Sequence, residues 1–96
     1  SKARVLIISN ENERIREYAV NNLKRGVTMH EVMGGYTHEK KVQLEIIMTG
    51  DDLSKMMEWI GDNKINAFCT TDSIREVHGL WVKRRKLSMK LENKEA

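Results

Sequence analysis

The stretch Lys41-Val42-Gln43-Leu44-Glu45-Ile46-Ile47-Met48-Thr49-Gly50-Asp51-Asp52-Leu53-Ser54-Lys55-Met56-Met57 decides the fold, because its hydrophobic period changes partway along. From Lys41 to Met48 the period is two. Val42, Leu44, Ile46 and Met48 share one face and Lys41, Gln43 and Glu45 take the other, as in a strand with one wet side. Beyond it, Leu53, Met56, Met57 and Ile60 recur at i, i+3, i+4 and i+7, and Thr49 stands three residues ahead of Asp52, the spacing of a capping box. A strand therefore runs straight into an amphipathic helix that ends near Gly61.

Toward the N-terminus the period stays at two. Val27, Met29 and Met33 fall on one face and Thr28, His30 and Val32 on the other, and Gly34 to Glu39 is too polar and glycine-rich for strand interior. The two strands on either side form an antiparallel hairpin with a longer loop. Earlier still, Ala3 to Ser9 is an apolar, β-branched strand. Asn10 and Glu13 have capping-box spacing, Ile15, Ala19 and Leu23 recur every four residues, and Lys24-Arg25-Gly26 closes that helix with Gly26 as its cap. Toward the C-terminus, Ile65 to Thr71 is a short strand, Asp72-Ser73 caps a single turn through Val77, Leu80 to Val82 is a small edge strand, and Lys83 to Ala96 is a solvated basic tail, partly flexible or helical.

The order strand, helix, strand, strand, helix, strand is the α+β ferredoxin-like βαββαβ arrangement. It is a two-layer sandwich in which right-handed crossovers place both helices on one face of a four-stranded antiparallel sheet. The opposite face needs cover from a partner subunit, the tail or a neighbouring domain.

Ninety-six residues allow one domain, divided here into residues 1–82 and a short basic extension, residues 83–96. With 40% hydrophobic and 32% charged residues and no Pro, the chain is expected to fold rather than remain disordered. Its longest apolar runs, Val5 to Ile8 and Ile46 to Met48, are far shorter than the ~20 residues of a membrane-spanning helix. It begins at Ser1 without a leader, which suggests an excised or processed piece. The net charge of +3 is unevenly placed: Lys83, Arg84, Arg85, Lys86, Lys90 and Lys94 face only Glu92 and Glu95, so the tail carries +4 and the body −1. Cys69 is the only cysteine, which excludes an internal disulfide, suits a reducing compartment and marks it as core filler.

The candidate binding residues cluster on two loops. Gly34-Gly35 could expose amides that cradle an anion, with Tyr36 as a stacking face and Thr37 as a hydroxyl; the plain alternative is a glycine hairpin. Gly26 and Thr28 could likewise present an amide and a hydroxyl to a phosphate, although helix capping already accounts for Gly26. His30, His38 and His78 lack metal-ligand spacing, so neither metal nor cofactor is expected. Glu31, Glu39 or Asp72 could supply an acid/base pair, but no nucleophile, base orienter or charge-stabilising hole accompanies them, and the chain reads as non-enzymatic. Met56 and Met57 read as core; Trp59 lies off the apolar stripe, either marking an interface or covering the sheet edge.

Four segments carry a resemblance: the opening strand ending in Ser9, Arg25-Gly26-Val27-Thr28, Gly34-Gly35-Tyr36-Thr37, and Ala67-Phe68 followed by Glu76-Val77-His78-Gly79. From about Ala3 to Trp81 the chain resembles the C-terminal domain of unknown function in bacterial YitT-type membrane proteins. It departs from them at Asn63-Lys64-Ile65-Asn66, where Asp-Pro is usual, and at Gly79-Leu80-Trp81, where Gly-x-Gly-Phe is common. The resemblance implies a PII-like fold and a place on the cytoplasmic face of the plasma membrane, as part of a larger membrane protein. It also implies a homo-oligomer that binds a nucleotide or other small anionic ligand between subunits, near Gly34 to Glu39 and Asp62 to Asn66. The expected role is a regulatory domain that passes ligand occupancy to the membrane-embedded region of its parent. The alternatives are a ligand-free assembly module working through the sheet edges and Trp59, or a nucleic-acid contact through the tail. No nucleic-acid partner is expected, because stacking aromatics are lacking.

Overall fold

The computed structural model describes residues 2–79 and 81. In chain order they form β1 (Lys2–Ile8), α1 (Asn12–Glu17) continued by a π-helical turn (Tyr18–Asn22), β2 (Thr28–Met33), β3 (Lys40–Thr49), α2 (Gly50–Asp62) and β4 (Phe68–Ile74). The strands make one antiparallel sheet in the order β2-β3-β1-β4, the ferredoxin-like arrangement expected. The edge strand expected at Leu80 to Val82 and the tail expected over Lys83 to Ala96 lie outside the described residues.

Strand register explains the core. Val5 pairs with Ile46 and Ile7 with Leu44, and antiparallel partners share a face, so these four side chains form one apolar floor. Ile15, Ala19 and Leu23 from the first helix and Met56 from α2 close over it, all buried. The other face of the sheet carries Leu6, Ile8 and Ile47 beside a polar cluster. There His30 Nε2 lies 2.8 Å from Glu45 Oε1 and Arg4 Nε 3.5 Å from Glu45 Oε2.

Several expectations are corrected. Asn10 and Glu13 form no capping box: Glu11 stands at the N-cap without a side-chain cap, and the Glu13 carboxylate takes two hydrogen bonds from Arg16 instead. The first helix widens at its end, where Leu23 N–H donates to Tyr18 O; the extra residue in that turn brings Leu23 onto the face of Ile15 and Ala19. The left-handed residue that ends it is Lys24 (φ 58°), not Gly26. The second helix likewise ends through Lys64 (φ 53°), after which Ile65 N–H bonds Ile60 O and the Ile65 side chain plugs the core from a turn. For that reason β4 starts at Phe68, and Asp72-Ser73 lies within it rather than capping a turn. Met57 is exposed, whereas Trp59 is half-buried and stacks on Tyr18, with centroids 4.3 Å apart and planes at 11°. Trp59 thus joins the two helices instead of covering the sheet edge.

The expected capping box of α2 is present: Thr49 Oγ1 accepts from Asp52 N–H and Asp52 Oδ2 accepts from Thr49 N–H. Its second role had no sequence signal. Asp52, 0% exposed, also accepts a 2.7 Å hydrogen bond from Nε of Arg25, which is 8% exposed. The Trp81 ring lies 4.5 Å from the Arg25 guanidinium carbon and 5.0 Å from Lys2 Nζ. Burial pushes the Asp52 carboxyl up, but the hydrogen bonds from Arg25 and Thr49 outweigh it and hold the group below its usual range. A carboxyl depressed in the folded state stabilises fully above its unfolded pKa, and loses that contribution as pH falls through its folded pKa. Urea melts should therefore show stability falling below about pH 4, with Arg25→Ala costing about 3–5 kcal/mol at pH 7 and flattening the acid slope.

Candidate functional site

Ser9 follows β1 and ties three segments together. Its hydroxyl donates to Asn66 O at 2.7 Å and accepts from Glu11 N–H at 3.1 Å, and its own carbonyl accepts from Asn12 Nδ2 at 3.2 Å. The end of the central strand is thus fixed to the start of the first helix and to the turn before β4. Two hollows open beside it.

The first, of about 330 Å³, lies on the helix side between Ser9, Asn10, Asn12 and the hairpin residues Glu31, Lys40, Lys41 and Val42. The second, of about 370 Å³, lies toward the open face and is bounded by Ile8, Glu11, Lys41, Asn66, Ala67 and Phe68. Ser9, Asn10 and Lys41 border both. Phe68 is 68% exposed, an unusual state for a phenyl ring in a strand. The pair of hollows combines Lys40 and Lys41 with the carboxylates of Glu31 and Glu11, amide side chains and an aromatic face. Cys69, next to Phe68 on the opposite face of β4, is half-buried, and burial raises its thiol pKa; it is a packed thiol, not an activated nucleophile.

The hairpin loop rises from the same end of the sheet. Gly34 N–H bonds Glu39 O, His38 N–H bonds Gly34 O, and Glu39 N–H donates to Thr37 Oγ1 at 3.2 Å. The left-handed residue is His38 (φ 61°), so neither Gly34 nor Gly35 is there for a positive φ. Gly34 is there for space: a Cβ on it would lie 2.9 Å from Thr37 Oγ1. Tyr36 is 99% exposed at the tip.

The residues singled out from the sequence fall in two places. Gly34, Gly35, Tyr36 and Thr37 form the loop near the hollows, whereas Gly26 and Thr28 lie at the other end of β2, roughly 20 Å away for a six-residue strand. Sequence spacing missed Asn10, Lys40, Lys41 and Phe68, because strand register, not local pattern, brings them together. Phe68 opposite Ile8 and Lys40 opposite Met33 are pairings visible only once the sheet is assembled.

Comparison with other proteins agrees with this architecture. The family described as "Uncharacterized protein conserved in bacteria (DUF2179)" matches residues 25–79. An uncharacterised protein encoded in the cccA 5′ region of Bacillus sp. (strain PS3) is 30% identical over 74 residues, 77% of this chain and 49% of that protein. The chain thus spans about half of that relative's length. Among solved structures, a DUF2179 protein from Eubacterium ventriosum superposes with a TM-score of 0.65 at 22% identity, covering 75% of this chain and 99% of that one. A Pediococcus pentosaceus protein of unknown function gives 0.62 at 9% identity, covering 82% and 96%. A Thermus thermophilus protein described as PII-like and signaling gives 0.57 at 15% identity, covering 88% and 90%. At these identities the likeness is one of fold.

Gly34→Ala should displace the Thr37 hydroxyl and cost about 1 kcal/mol, read as a lower urea midpoint with faster amide exchange at Glu39. Gly35→Ala, with open space around its Cβ, should leave both unchanged.

Proposed function

We propose, from the premise that this chain belongs to the DUF2179 family of bacterial proteins, that it is a non-catalytic regulatory domain for a small anionic ligand such as a nucleotide. The observation that carries this reading is Lys41 standing on the common rim of two hollows, with Lys40 on one side and the bare ring of Phe68 on the other. A phosphate or carboxylate would pair with the lysines and the Asn10 amide, and a planar group would lie on Phe68. The hairpin loop, held by three hydrogen bonds of its own, would fold down over the ligand with Tyr36 as its contact. Description of a protein of like fold as PII-like and signaling supports a sensing role.

In this reading, occupancy is passed to the membrane-embedded region of a larger YitT-type protein at the cytoplasmic face. Among the described residues no helix is long and apolar enough to cross a membrane, so that region would lie elsewhere in the parent protein.

Thermal unfolding against a panel of nucleotides and small anionic metabolites tests the reading. A true ligand at about a hundred times its Kd stabilises the fold by about 2.7 kcal/mol, raising Tm by about 10 °C or more. Lys41→Glu should abolish that rise while leaving the unliganded Tm within a few degrees. No shift with any compound, or a shift that Lys41→Glu leaves intact, removes the site.

A further inference from the structure

The sheet has two edges, β2 and β4, and they differ in length. β2, Thr28-Met29-His30-Glu31-Val32-Met33, has six residues and pairs with β3 from Thr28↔Glu45 to Met33↔Lys40. β4, Phe68-Cys69-Thr70-Thr71-Asp72-Ser73-Ile74, holds no Lys, no Pro and no bulge; its register against β1 runs unbroken from Ile8↔Phe68 to Lys2↔Ile74. Most of it is exposed, and α2 packs over β1 and β3.

We propose that two copies of this chain associate through their β4 edges, antiparallel about Thr71, joining the two sheets into one. The register follows from the side chains. A two-fold axis normal to the sheet keeps each face on its own side, so opposed residues must share a face and the axis must pass through a residue, not between two. β4 has seven residues and therefore a central one, Thr71; β2 has six and cannot pair with its own copy along its full length. Centred on Thr71, Phe68 meets Ile74 of the partner subunit, Cys69 meets Ser73 of the partner subunit, and Thr70 meets Asp72 of the partner subunit. These are an aromatic against a β-branched residue at both ends and hydrogen-bonding pairs between them. Centring on Asp72 would oppose two carboxylates, and centring on Thr70 would set Phe68 against Asp72 of the partner subunit. The side chains thus select one register.

The seam does not rest on the ligand reading. It bears on it, however: the same register sets Arg75 of the partner subunit opposite Ala67, at the rim of the hollow that Phe68 borders, adding a second cation beside Lys41.

Light scattering of the whole chain over a range of concentrations should show a monomer–dimer equilibrium, and Thr71→Lys, which opposes two ammonium groups at the axis, should weaken it at least about tenfold. In a Cys69→Ser background, Thr71→Cys places two thiols directly opposite, within the 4.4–6.8 Å Cα spacing of a disulfide. Oxidised glutathione should convert it to a covalent dimer. Thr70→Cys, whose two copies would sit on the longer diagonal, should remain monomeric on a reducing-agent-free gel. Circular dichroism confirms that each variant is folded, and the crosslink decides independently of Thr71→Lys. A wild-type chain that stays monomeric throughout, or crosslinking at Thr70→Cys equal to that at Thr71→Cys, overturns the proposal.

Discussion

The buried Asp52 carboxylate is the constraint around which one end of the molecule is organised. It closes the capping box with Thr49 and receives the Arg25 guanidinium at 2.7 Å, so a single charge joins the start of α2 to the exit of the first helix. Burying either charge alone would be costly, and the pair is tolerated because the remaining lone pairs and protons find partners. Everything at this end follows from holding it: Lys24 takes a left-handed turn that swings Arg25 inward, β3 passes into α2 without a loop, and Trp81 lays its ring against Arg25. The helices are set over the sheet from this end.

The other end is held by neutral hydrogen bonds centred on Ser9, with loops on both sides. The hollows open where β1 stops at Ile8 and β3 runs on to Lys40. A domain of this size has little stability to spare. Lys40, Lys41 and Phe68 stand at the Ser9 end, where they border the hollows. Their placement on the rim is the physical basis for reading the Ser9 end as the binding end.

Periodicity was enough to read the sheet, both helices and the hairpin, because each buries one face and the face repeats. The alternation of Val42, Leu44, Ile46 and Met48 and the four-residue spacing of Ile15, Ala19 and Leu23 are direct records of contact with the core. Where the reading failed, burial and secondary structure had come apart. Ile65 is buried from a turn, which drew the predicted strand three residues too early. Lys24 takes the left-handed position expected of Gly26, and Lys64 takes another after α2. Arg25 and Asp52 stand 27 residues apart and each has a sufficient local role, at a helix end and in a capping box, so nothing in the sequence links them. The site shows the same limit: the glycine loop was visible as composition, but the lysines and Phe68 meet through register.

The open face remains the part of the sheet with the least defined duty. Leu6, Ile8 and Ile47 alternate there with Arg4, Glu45 and His30, a mixture too charged for a second core and too apolar for simple solvent exposure. Phe68 lies on this face, beside Ile8, and belongs both to the hollow at the end of β1 and to the proposed seam along β4. Two binding events that share a side chain cannot be independent. If ligand changes the affinity of one copy for another by some factor, association changes the affinity for ligand by that same factor, since the four states form a closed cycle. A domain that couples its ligand to its own assembly needs no large internal movement, only one ring that packs differently when its neighbour arrives. Phe68, exposed in the single chain and flanked by both surfaces, is placed to be that ring.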